Sequence, residues 1–318
     1  MAEGIAAVII GRNEGERLKR CLASVVGRVD LVIYVDSGST DGSREAAHAL
    51  GAEVIELDLT RPFTAARARN AGFHRAMARE TPPTFIQFID GDCELRDGWL
   101  EAAADFLEAH PKAAVAAGRL RERFPEASVY NRLCDREWDT PLGEVAACGG
   151  IAMMRADAFA AAGGFDEGLI AGEEPELCLR LRRAGWQIWR LSDEMAWHDA
   201  AMTRFGQWWR RATRAGHTYV EGWVMHGAAP ERHGVVETRR ALAWGLVLPL
   251  TIGIGTAIHP ATLVLVLAYP AQIIRLARRE GLPWAFFNTL AKFAETRGII
   301  SYGLDRLRGI NPRLIEYK

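Results

Sequence analysis

Three short apolar runs constrain this chain more than any other feature. Residues 5–10 (IAAVII), 31–35 (LVIYV) and 84–89 (TFIQFI) lead directly into Gly11, Asp36 and Asp90. Unbroken apolar runs of this length read as strands buried on both faces. Between the first two, Leu18, Leu22 and Val25 share one face of a helix over 14–26. Further helices are expected at 41–50 and 64–79, with a strand at 53–57. Strands alternating with helices imply an α/β protein with a doubly wound, mostly parallel sheet. Ligands of such sheets sit beyond the carboxyl ends of the strands, where Gly11, Asp36 and Asp90 fall. Downstream, helices are expected at 97–110, 155–163, 174–184 and 203–224, and a strand at 186–191.

At 318 residues the chain has room for about two domains. Hydrophobic residues make up 49% and charged residues 25%, which excludes fibrous and wholly disordered classes. The net charge of −1 argues against a protein built to hold nucleic acid. That neutrality is segregated. Residues 1–203 carry 23 basic and 33 acidic side chains, residues 241–274 carry none of either sign, and the flanks 204–240 and 275–318 are +4 and +5. The uncharged block, broken at His259-Pro260, reads as a helical hairpin with two arms of about 17 residues, each about 25 Å long. Arg239 and Arg240 before it and Arg275, Arg278 and Arg279 after it would keep both ends on the cytoplasmic side of a membrane. A buried helix pair is the alternative. Trp284, Phe287, Leu290, Phe293 and Ala294 then recur at helical spacing, suiting a helix in the membrane interface or one packed on the protein. The division that follows is 1–225 for the catalytic part and 226–318 for a membrane-associated helical region. Five scattered cysteines show no metal-ligand spacing and suit a reducing compartment. The N-terminus has no basic segment of the secretory type.

Four constellations can carry chemistry. In Asp36-Ser37-Gly38-Ser39-Thr40-Asp41-Gly42, an acid at a strand end can meet a ribose or base edge while glycine lets backbone approach a nucleotide; a solvated turn with a helix cap is the alternative. In Asp90-Gly91-Asp92, two carboxylates around a tight bend can present oxygens to one divalent cation. Gly172-Glu173-Glu174-Pro175-Glu176 opens a helix with more acid than its dipole requires, so one residue can serve as general base. Trp197-His198-Asp199 follows the strand expected at 186–191.

In order and spacing, VIIGRNEGERL (8–18), VDSGSTDGS (35–43), ARNAG (68–72), FIDGDCELRDGWL (88–100), Gly149-Gly150, GGFDE (163–167) and GEEPELCLRLRRAGW (172–186) together resemble a family 2 glycosyltransferase of the GT-A fold over about residues 5–215. The resemblance implies that Asp36, with Ser37 and the backbone around Gly11 and Arg12, contacts base and ribose of a nucleotide-diphosphate sugar, UDP-sugars being favoured. It implies that Arg69 helps bind the nucleotide, that Asp90 and Gly91 border ribose or metal, and that Asp92 and His198 ligate Mg2+ or Mn2+. The catalytic base falls on Glu174, where the family usually has Asp, with Glu173 as the second candidate. A single displacement then inverts the anomeric centre, and the acceptor would be a glycan or lipid-linked hydroxyl at the cytoplasmic membrane face. A sugar-nucleotide nucleotidyltransferase and a non-catalytic membrane scaffold are the competing readings. The first would need a basic glycine-rich phosphate loop that GRNEGERL does not provide, and the second does not explain the joint presence of Asp36, Asp90, Asp92, Glu174 and His198.

Overall fold

A computed structural model describes residues 2–309. The last nine residues of the 226–318 region lie outside the described part. The N-terminal 90 residues run β1 (Ala2–Gly11), α1 (Glu16–Ala23), β2 (Val29–Asp36), α2 (Ser43–Ala49), β3 (Glu53–Glu56), α3 (Ala65–Met77) and β4 (Phe85–Asp90). The chain continues through β5 (Cys93–Leu95), α4 (Trp99–Ala109), β6 (Ala113–Glu122), α5 (Val129–Glu137), β7 (Gly143–Glu144), β8 (Ala152–Arg155), α6 (Ala156–Ala161), α7 (Glu173–Arg183) and β9 (Gln187–His198). The sheet order is β3-β2-β1-β4-β8-β6-β9-β5, with β7 also on β9. The ladders of β1 with β2 and β4, β2 with β3, and β6 with β9 are parallel; those involving β5, β7 and β8 are antiparallel. The sheet is therefore mixed and mostly parallel.

Residue alternation along β1 divides the core. Ile5, Ala7 and Ile9 join Leu18, Leu22, Leu100 and Leu107 on one face, and Ala6, Val8 and Ile10 join Phe73, Phe159 and Leu177 on the other. Both faces are thus covered by helices, which accounts for a run without polar alternation. Helix α3 approaches β1 so closely that a Cβ on Gly72 would lie 2.3 Å from Val8 Cγ1.

One expectation needs correction here, and two strands are added. The strand placed at 186–191 continues to His198, so Trp197 and His198 lie on β9; register shifts opposite Ala117–Leu120 absorb the polar Ser192-Asp193 segment. Strands β6 and β8 were not anticipated, because AAVAAG and AMMR carry little β-branched or aromatic signal.

The described residues form two compact units. The sheet unit extends to Ala127 and resumes over Cys134–Ala201, while Ser128–Leu133 and the chain from Met202 onward form a helical unit. The helical unit contains α8 (Phe205–His226), α9 (Val235–Leu242), a π-helical turn (Ala243–Val247), α10 (Leu248–Ile258), a 3-10 segment (Pro260–Leu267), α11 (Ala268–Glu280) and α12 (Leu282–Leu307). Packing therefore joins α8 to the C-terminal helices, ahead of the position 225 suggested by composition. The hairpin arms are Val235–Ile258, 24 residues, and Pro260–Glu280, 21 residues, both long and apolar enough to cross a membrane. They exceed the 17 expected because charge does not end a helix. Gly234 and Gly281, at φ +70° and +80°, supply the breaks instead. Leu250, Ile254, Ile258, Val264 and Leu267 on them are exposed. Helix α12 packs on α8 rather than standing alone: the Trp208 and Phe287 rings lie 5.0 Å apart, edge to face.

Candidate active site

The site assembles at the carboxyl edge of β1, β2 and β4. Asp36, 1% exposed, ends β2 and organises the loop that follows. Its Oδ2 accepts from the backbone N–H of Gly38 at 2.9 Å and Ser39 at 2.8 Å, and its Oδ1 accepts from Tyr34 Oη at 3.0 Å. Ser37 N–H donates to the Gly11 carbonyl, 3.0 Å, while Asn13 Oδ1 accepts from Thr40 N–H at 2.8 Å. The two loops proposed for the nucleotide are thereby tied together. Arg12 is exposed and stacks on Phe63, 4.8 Å from the ring centre. Asp36 and Ser37 are buried, whereas the neighbouring Thr40 and Asp41 are exposed.

Arg69 projects from α3 into the centre of the site. Its Nη2 donates to Asp90 Oδ1 at 2.7 Å and its Nη1 to Glu173 Oε1 at 2.6 Å. Burial opposes the charge on this guanidinium, but the Asp90 and Glu173 carboxylates outweigh it and hold Arg69 protonated. A Cβ on Gly150 would lie 2.8 Å from Arg69 Nη2, so the glycine there leaves room for this side chain.

Asp92 and His198 meet because of sheet register. Gly91 donates its N–H to the Ile10 carbonyl, 2.8 Å, which folds the bend after β4 back against β1. Cys93 on β5 pairs directly with His198 on β9, which sets the preceding Asp92 beside the imidazole. His198 Nε2 lies 3.1 Å from Asp92 Oδ2, the Asp92 side chain is 1% exposed, and Trp138 stacks on the His198 ring at 4.5 Å. Asp92, Cys93 and His198 could together hold a metal ion. Their carboxylate and imidazole form a donor pair that suits Mn2+ and, through oxygen, Mg2+. Buried Glu122, opposite His198 in register, is held above the usual carboxylate range by burial.

Glu173 and Glu174 begin α7 and diverge. Glu173 is engaged by Arg69. Glu174 turns toward the 145–151 loop, where its Oε1 accepts from Cys148 N–H at 2.6 Å, Cys148 Sγ at 3.1 Å and Cys178 Sγ at 3.0 Å. Among the described residues no group donates to its Oε2. The hydrogen bond with Cys178, burial and then the Glu174 carboxylate drive the Cys148 thiol far upward. The same sulfur contact lowers Cys178, yet burial and Glu174 prevail and push it up to about 11. Both sulfurs are therefore protonated donors at neutral pH. Trp138, Glu122, Cys148 and Cys178 were not anticipated as site residues. Cys178 stands four residues after Glu174 on one helix face, a legible spacing; Cys148, 30 positions from Cys178, gave no such signal.

Residues 6–161 match the model for glycosyl transferase family 2. Over those residues, just under half of the chain, the protein is similar to this family; its sheet unit has the GT-A fold, and it is a glycosyltransferase. It is 22% identical over 234 residues to the glycosyltransferase AglE of Haloferax volcanii, covering 70% of this chain and 74% of that one. It is 29% identical over 187 residues to the succinoglycan biosynthesis protein ExoA of Rhizobium meliloti, covering 55% of this chain and 54% of the relative. Among solved structures, a mannosyltransferase from Pyrobaculum calidifontis in complex with GDP-mannose and Mn2+ superposes with a TM-score of 0.64 at 18% identity, over 95% of this chain and 86% of that one.

Proposed function

We propose that this glycosyltransferase moves a sugar from a nucleotide-diphosphate donor to a hydroxyl of a glycan or lipid-linked acceptor, with inversion at the anomeric carbon. The observation that carries the reading is the convergence of Arg69, Asp90, Asp92, Glu173, Glu174 and the Asp36 loop in one unit. Asp92 and His198 would hold Mg2+ or Mn2+, which when bound offsets negative charge on the diphosphate. Arg69 and the backbone of the 11–13 and 37–40 loops orient the nucleotide. Glu174 takes the acceptor proton at Oε2, the oxygen left without a donor, while Oε1 is fixed by three hydrogen bonds. Glu173 is the poorer base because protonating it would break its pair with Arg69.

The donor reading is nucleotide-diphosphate sugar as a class. UDP-sugars follow from the family resemblance and GDP-mannose from the solved neighbour, so a thermal-shift screen should include both with Mg2+ or Mn2+. A true donor raises the melting temperature. In turnover assays Glu174→Gln should lower kcat by about 100-fold or more, within the range for loss of a general base. Asp92→Asn should abolish metal-dependent turnover with an unchanged melting curve. Near-normal turnover in either variant would remove that residue from its role, and NMR of the product linkage would test inversion. The two long apolar helices, with arginines near their outer ends, support attachment to the cytoplasmic face of a membrane.

A further inference from the structure

From Cys148, Cys178 and Glu174 we infer a second cation site, selective for thiophilic ions such as Zn2+ or Cd2+ and separate from the Asp92–His198 pair. The three side chains offer two sulfurs and one carboxylate oxygen, all within 4.8 Å of one another. The sulfurs are 3.8 Å apart. A tetrahedral ion with bonds of about 2.3 Å to sulfur has a sulfur–sulfur edge of about 3.8 Å, whereas a disulfide needs about 2.05 Å. The sulfurs, in thiol–thiol contact without an ion, already stand at the separation that a tetrahedral ion requires and too far apart for a covalent link. Cys178 and Glu174 are fixed on successive turns of α7 and are buried, and Cys148 is half-buried on the neighbouring loop, which leaves a route in from solvent. Coordination replaces the two S–H donors to Glu174 Oε1 with bonds to the ion, and both thiol protons leave to solvent.

The Asp92–His198 pair selects differently. Its donors are oxygen and nitrogen, which accept Mg2+ and Mn2+, whereas paired sulfurs prefer softer ions. Occupancy of the sulfur site fixes Glu174 on a cation. On the reading of Glu174 as base, which this consequence rests upon, a thiophilic ion therefore inhibits transfer.

The test titrates the full-length, reduced chain with Cd2+ and follows the thiolate-to-cadmium charge-transfer absorbance. One equivalent should give the band, Cys148→Ser and Cys178→Ser should each remove it, and Asp92→Asn should keep it. Cadmium-113 NMR of the unaltered chain guards against variants that fail to fold. A resonance between the all-oxygen and all-sulfur ranges supports the site, and an all-oxygen resonance overturns it. Absence of the band, or its survival in both serine variants, also overturns it. Zn2+ at saturating concentration should then suppress transfer at least tenfold. If the band forms and transfer is unaffected, the site stands and the assignment of Glu174 as base falls.

Discussion

Arg69 is the residue on which the candidate site most depends. Its side chain is 3% exposed and is shared between Asp90, 34% exposed, and Glu173, 11% exposed. Removing one partner of a buried ion pair leaves charge without compensation, and water at the Asp90 end relieves only part of that cost. Arg69→Met should therefore destabilise the protein by about 3 kcal/mol in urea unfolding, and a loss below about 1 kcal/mol would show that the carboxylates find other partners. The sequence identified Arg69, Asp90 and both glutamates through motif order, but their connectivity was not legible. Asp90 is 21 positions and Glu173 104 positions from Arg69, distances that no local pattern encodes. Asp36 was legible as a strand-end acid. That its carboxylate is consumed by Tyr34, Gly38 and Ser39 was not, since this depends on how the loop closes.

At the level of elements, α8 and α12 cross with almost no space between their backbones. A Cβ on Gly298 would lie 2.0 Å from the Thr213 carbonyl oxygen, and one on Gly216 would lie 1.9 Å from that of Glu295. No rotamer relieves a clash with backbone, so the helices must separate. Gly298→Leu should cost about 3 kcal/mol or more and lower the melting temperature, whereas the same change at Gly303, with open space around it, should have little effect. The strands β1, β2 and β4 were legible because both faces are buried and the apolar runs are unbroken. Strand β6 was hidden because alanine and glycine line it. There a Cβ on Gly118 would lie 2.6 Å from the Trp99 ring, so small side chains are demanded by packing and mask the strand signal. Helix α12 was visible as a periodic apolar pattern, but whether that face met lipid or protein was decided by partners that composition cannot reveal.

Across the whole molecule, the net charge of −1 combines an acidic enzyme unit with basic flanks around the uncharged block 241–274. Helices of 24 and 21 residues, at about 1.5 Å per residue, are each long enough for a hydrocarbon core of about 30 Å. Alkaline carbonate extraction of membranes should therefore leave the full-length protein in the pellet, and its release would count against a spanning hairpin. Within the enzyme unit, the carboxyl edge collects residues from both halves of the sheet, and Arg69 is their junction. A ligand that draws Asp90 away from the guanidinium leaves Glu173 as its remaining anionic partner, at the first turn of the helix that also bears Glu174. Equilibrium coupling is reciprocal, so whatever occupancy of the nucleotide side does to the set of that helix, the helix does in equal measure to nucleotide affinity. On the roles proposed for Asp90 and Glu174, one side chain thus makes the donor and acceptor halves of the reaction answer to each other before any bond is exchanged.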